Sequence, residues 1–108
     1  MINQKLKPIH PGEILREELL IPFNISPEEL AHKIQVSKEQ IKWICEERGD
    51  ITSDLAARLA LFFGSTPQFW MNMQKSYEEK ILAEKISQLK KYIHPYKNGS
   101  KRVEEIQK

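Results

Sequence analysis

The residues Ser26-Pro27-Glu28-Glu29-Leu30-Ala31-His32-Lys33-Ile34-Gln35-Val36-Ser37-Lys38-Glu39-Gln40-Ile41-Lys42-Trp43-Ile44-Cys45-Glu46 decide the fold. Ser26-Pro27-Glu28-Glu29 offers an N-cap hydroxyl, a proline at the first helical position and a glutamate at N3, a complete capping box. Ser37-Lys38-Glu39-Gln40 repeats the pattern with glutamine at N3. Leu30, Ala31 and Ile34 share one face of the first helix (Pro27 to Ile34), and Ile41, Ile44 and Cys45 share one face of the second (Ser37 to Glu46). Gln35-Val36 breaks the run: Val36 can plug the turn, and Ala31 is small where the two helices approach most closely. This is helix-turn-helix spacing, in which the second helix is offered to the major groove of DNA. Spacing alone leaves a plainer reading open, since two capped amphipathic helices in succession also occur in many small bundles.

The flanking sequence extends the helical pattern in both directions. Pro11 starts a helix through Glu13, Ile14, Leu15, Leu19 and Leu20, which Pro22 ends. Thr52 caps a fourth helix through Leu55, Ala56, Leu59, Ala60 and Phe63, which Gly64 closes. Thr66-Pro67 opens a fifth, with Phe69, Trp70, Met73, Tyr77 and Ile81 on one side as expected core. No segment alternates apolar and polar residues over a strand's length. The expectation is therefore an all-α protein of five helices with an extended C-terminal helix. Its expected parts are an N-terminal arm (1–8), a helix-turn-helix domain (9–94) and a polar C-terminal tail (95–108), with Pro95 through Gly99 breaking whatever helix precedes them.

Composition narrows the function classes. The chain has 108 residues, with 17 Lys plus Arg against 15 Asp plus Glu, a formal charge of +2. Hydrophobic residues make up 40%, too many for a disordered chain and unremarkable for a folded domain. No apolar run approaches the roughly 20 residues that cross a bilayer, and no signal-peptide stretch follows Met1, so a cytoplasmic protein without membrane contact is expected. The charge is unevenly placed. Residues 26–50 carry four bases and six acids, whereas residues 75–108 carry nine bases and five acids. Cys45 is the only cysteine, which excludes an internal disulfide. His10, His32 and His94 lack the i, i+4 spacing of a helical zinc site, so neither a metal nor another cofactor is expected. His10 is better placed to cap or orient the first helix. Four scattered glycines make no phosphate loop, and no nucleophile–base–orienter set stands out, so an enzyme is not expected.

Four segments carry a resemblance. In order they are His10-Pro11-Gly12-Glu13-Ile14-Leu15-Arg16-Glu17-Glu18, Leu30-Ala31-His32-Lys33-Ile34-Gln35-Val36-Ser37, Ile51-Thr52-Ser53-Asp54-Leu55-Ala56-Ala57-Arg58-Leu59-Ala60 and Thr66-Pro67-Gln68-Phe69-Trp70-Met71-Asn72-Met73-Gln74. Together they resemble the HigA family of antitoxins, also called VapI-type, over residues 8–80. The resemblance implies an Xre-type, lambda-repressor-like DNA-binding domain, typically a homodimer, that represses its own promoter by binding operator sites in double-stranded DNA. It also implies a protein partner, a HigB-like toxin that cleaves RNA on the ribosome. The arm and first helix (Ile9, Ile14, Leu15) are candidates for the toxin contact, or simply complete the core. Two departures from the family pattern stand out. Gln35 occupies a position usually held by glycine, and Glu46-Glu47-Arg48-Gly49-Asp50 replaces a loop that usually reads like Asn-Gly-Lys-Arg-Gly, leaving Gly49 to serve the turn.

On a wheel of about 100° per residue, Ile41, Ile44 and Cys45 point inward and Glu39, Trp43 and Glu46 centre the opposite face, flanked by Lys38, Gln40, Lys42 and Glu47. The resemblance implies Lys38, Glu39 and Trp43 at base edges, with Ser37, Gln40 and Lys42 nearer the backbone. Arg48 supplies further positive charge, as do Lys5 and Lys7. A glutamate can accept from cytosine N4, but several acids facing phosphate oppose the term that dominates non-specific affinity. Trp43 either contacts DNA or a partner, or folds back over a neighbouring helix. Further on, Leu82, Ile86, Leu89 and Ile93 form a seam-like stripe beyond the compact domain, expected as a dimer interface. The acidic recognition segment also motivates a second reading, a stand-alone regulator or interaction module whose DNA binding is weakened or lost.

Overall fold

A computed structural model describes residues 7–96; residues 1–6 of the expected arm and 97–108 of the expected tail lie outside the described residues. Five helices follow one another with short connections, and the described residues contain no strand. Helix α1 spans Pro11–Ile14 and continues as a π-helical segment, Leu15–Leu20. Then come α2 (Pro27–Ile34), α3 (Lys38–Cys45), α4 (Ser53–Phe63) and α5 (Pro67–Leu89).

Each start has the cap its sequence promises. Ser26 Oγ accepts from Glu29 N–H at 3.0 Å, Ser37 Oγ from Gln40 N–H at 3.1 Å, Thr52 Oγ1 from Leu55 N–H at 3.2 Å and Thr66 Oγ1 from Phe69 N–H at 3.2 Å. Such a cap contributes about 1 kcal/mol. Of the capping box at Ser26 only this forward half is formed; the Glu29 side chain makes no return bond to the Ser26 N–H. Gln35 and Gly64 close α2 and α4 in the left-handed region, at φ 63° and 76°. The π segment has a packing reason. Its i→i−5 bond from Ile21 N–H to the Arg16 carbonyl (3.0 Å) accompanies a turn in which Leu15 and Leu20, five residues apart, are both buried.

The core joins these leucines to Leu30, Ala31 and Ile34 of α2, Ile41, Ile44 and Cys45 of α3, Ile51, and Leu55, Ala56, Leu59 and Ala60 of α4. Val36 packs against this core from the turn, as expected. Helix α5 lays only part of its first half over it. Trp70 is fully buried, with its indole N–H on Ser65 Oγ at 3.1 Å. Phe69 and Ile81, expected as core, are instead exposed, and Gln74 is buried in their place. The inward stripe is thus Trp70, Met73, Gln74 and Tyr77, with Met73 and Tyr77 half-buried as expected and a polar residue where an apolar-only pattern skips it. Every residue from 78 to 96 is exposed, so the second half of α5 projects beyond the body of the domain. The helix ends at Leu89, ahead of the break expected at Pro95.

Candidate nucleic-acid interface

The second helix of the helix-turn-helix is held at its C-terminal end by α1. The α1 backbone passes so close to the end of α3 that a Cβ on Gly12 would overlap the Ile44 carbonyl oxygen. His10 fixes this approach: its Nδ1 accepts from Gly12 N–H at 2.8 Å while its Nε2 donates to the Gly49 carbonyl at 2.8 Å. Only a neutral ring carrying its proton on Nε2 satisfies both bonds. The Tyr77 ring meets the imidazole edge to face at 4.8 Å, tying α5 to the same junction. His10 therefore caps and orients α1, as its position anticipated.

Two arginines finish the frame. The Arg16 guanidinium donates to the Cys45 carbonyl at the C-terminal end of α3 and reaches Glu47 at 3.5 Å. Arg58, on α4, donates to the Ile34 carbonyl at 2.8 Å and bonds Asp54 at 2.8 Å, closing the end of α2. Carbonyls left open at a helix end are thus met by cations, where the helix dipole favours them. Gln74 does the equivalent for the following loop, accepting from Ile51 N–H at 2.8 Å and donating to Asp50 at 3.2 Å and Glu78 at 2.8 Å. Sequence reasoning passed over all three residues as site supports. The Asp54–Arg58 spacing was visible, but the reach of Arg58 to another helix is a tertiary fact.

The loop after α3 turns at Glu47, whose φ of 64° is left-handed, and not at Gly49 as expected. Gly49 is small for a different reason: a side chain there would crowd Ile44, and its carbonyl serves His10. Burial pushes the Cys45 thiol up from its ordinary value, in keeping with a packing role.

With α3 fixed underneath, its outer face is open. Trp43 is 54% exposed, which overturns its reading as a side chain folded over a neighbouring helix. Lys38, Glu39, Lys42 and Glu46 are exposed beside it, Gln40 is half-buried, and Ser37 caps the helix at its leading edge. Arg48 lies past the helix end, paired with Glu46 at 3.1 Å. Lys42 is paired with Glu28 of α2 at 3.3 Å, so of the three cations expected on α3 and the loop after it two already face a carboxylate. Ser37, Lys38, Glu39, Lys42 and Trp43 form one surface, and Arg48 stands at its edge. Of the candidate toxin contacts, Leu15 is fully buried and belongs to the core, whereas Ile9 is exposed. The stripe residues Leu82, Ile86, Leu89 and Ile93 are all exposed on the projecting end, with Ile93 just past the last turn of α5.

No protein-family model matches the chain. Whole-chain relatives do. It is 42% identical over 102 residues to virulence-associated protein I of Dichelobacter nodosus, an alignment covering 94% of each chain. Among solved structures it resembles the Pseudomonas aeruginosa antitoxin HigA bound with the higBA promoter (TM-score 0.75, 41% identity, 82% of this chain and 98% of that one). It also resembles an addiction-module antidote protein of the HigA family from Coxiella burnetii (TM-score 0.73, 40% identity, 84% of this chain and 100% of that one). No helix among the described residues is long and apolar enough to cross a membrane. The chain belongs to the HigA (VapI-type) family of antitoxins.

Proposed function

We propose that the protein is the antitoxin of a HigBA-type module: a homodimeric helix-turn-helix repressor of its own promoter that also binds and neutralises a HigB-like toxin. On this reading it is a cytoplasmic binding protein and not an enzyme. The observation that carries it is the outer face of α3, held rigidly by the Gly12–Ile44 contact and open around Trp43, in a chain 41% identical to an antitoxin solved with its promoter. Ser37, Gln40, Lys42 and Arg48 are assigned to the DNA backbone, and Lys38, Glu39 and Trp43 to base edges, with Glu39 suited to a cytosine amino group. Leu82, Ile86, Leu89 and Ile93 are assigned to the dimer.

A titration of the purified protein with its own upstream DNA, at low and physiological salt, tests the repressor half. Specific, salt-sensitive binding that Trp43→Ala abolishes while the helical spectrum is kept is the expected result. No binding at either salt favours the second reading, an interaction module without operator function. The pairing of Lys42 and Arg48 with carboxylates is the observation behind that reading.

A further inference from the structure

The Glu28–Lys42 pair joins the first turn of α2 to the flank of α3, and both side chains are about half exposed. Lys42 lies on the side of the recognition helix where a phosphate strand would run if α3 enters a major groove. Its ammonium cannot bond a phosphate and keep the Glu28 carboxylate at 3.3 Å without sharing its charge between two anions. Glu28 is a persistent competitor. Its own backbone N–H and then Lys42 hold its carboxyl below the ordinary carboxylate value, so it stays ionised. Arg48 is occupied by Glu46 in the same way, which leaves Lys38 as the cation of this face without an ion-pair partner among the described residues.

We infer that Glu28 is a positioning residue that limits DNA affinity by holding Lys42 back from the phosphate backbone. The inference rests on the DNA-binding reading above and deepens it. In the free protein the pair fixes the Lys42 side chain against α2; on binding, a phosphate must displace the carboxylate, and the freed carboxylate takes up a cation from solution. Less counterion is then released than a free lysine would release, so the salt dependence of binding is shallower as well as the affinity lower. The role differs from plain repulsion, because it acts mainly through the ammonium that Glu28 bonds; the Lys38 charge also acts on this carboxylate, at longer range and without a bond. Glu29 is the internal control. It is adjacent, exposed and of the same charge, and it makes no ion pair.

The test is a fluorescence-anisotropy titration of the full chain with its own upstream DNA over a range of salt. Wild type is compared with Glu28→Gln, Glu29→Gln, Lys42→Met and the Glu28→Gln/Lys42→Met double variant, each checked for an unchanged helical spectrum. Glu28→Gln is expected to bind about two- to fivefold more tightly, the scale of an exposed ion pair. Its slope of log affinity against log salt should steepen by about one. Glu29→Gln should gain less, and Glu28→Gln should lose most of its gain in the Lys42→Met background, where only the longer-range influence of Glu28 on Lys38 is left. Wild-type binding with no gain for Glu28→Gln overturns the inference alone, as does a gain that persists in full without Lys42. If neither wild type nor Glu28→Gln binds this DNA, the DNA-binding reading fails and the inference falls with it.

Discussion

At Gly12 the backbone of α1 runs directly against the Ile44 carbonyl, and His10 and Gly49 brace the same contact from either side. No side chain can be admitted there without separating α1 from the recognition helix. Gly12→Ala should therefore destabilise the fold by ~3 kcal/mol, the upper range for overpacking a close contact, read as a lower urea midpoint with unchanged slope. Gln35 is the opposite case. It holds a left-handed φ of 63° that a glycine adopts without strain, and its side chain is exposed. Gln35→Gly should raise stability by about 0.5–1 kcal/mol, seen as a higher melting temperature, because relief of the left-handed strain outweighs the added freedom of the unfolded chain. The need for glycine at position 12 could not be read from its neighbours in sequence, since the clash is with a residue of another helix. The strain at Gln35 could be, because the end of α2 is visible in the pattern itself.

The helices themselves were legible because their signals are local. Ser26, Ser37, Thr52 and Thr66 each precede an apolar run of helical period, and each caps a helix. What was not legible was anything that depends on one element meeting another. Gln74 is buried because the Ile51 N–H needs an acceptor, and Phe69 is exposed because nothing among the described residues packs outside it. The π segment follows from burying Leu15 and Leu20 together, a demand that only the finished core makes. Arg58 is the clearest of these inter-element supports. Removing its bond to the Ile34 carbonyl with Arg58→Met should cost about 1–2 kcal/mol in urea denaturation and weaken DNA binding by loosening the turn before α3. Asp54→Asn should cost less than ~0.5 kcal/mol, because its ion pair with Arg58 is largely solvent-exposed. Equal losses for the two variants would show that the salt bridge, and not the helix-end contact, is what matters.

At the scale of the whole molecule the main question is what the projecting end of α5 is for. At about 1.5 Å per residue this helix is ~34 Å long, comparable to one helical repeat of DNA. On a helical wheel Leu82, Ile86 and Leu89 point about a quarter turn or more away from the mean direction of Trp70, Met73, Gln74 and Tyr77. The stripe is thus not a continuation of the core face left uncovered; it is a second face with no intramolecular partner among the described residues. A second copy packed along it about a two-fold axis would give the assembly two symmetric α3 helices, which a palindromic operator requires. Ile86→Glu puts a charge in the middle of the stripe, where the native side chain is 48% exposed, so the monomer fold should be untouched. Sedimentation equilibrium at micromolar concentration should show a dimer for wild type and a monomer for Ile86→Glu, with melting of the variant then independent of concentration. Affinity for a full two-half-site duplex should fall by at least tenfold, while affinity for an isolated half-site changes little, because only the coupling between two recognition helices is lost. A wild type that sediments as a strict monomer, or an Ile86→Glu variant that remains dimeric, would remove α5 from the interface and require the two recognition helices to be paired by another surface.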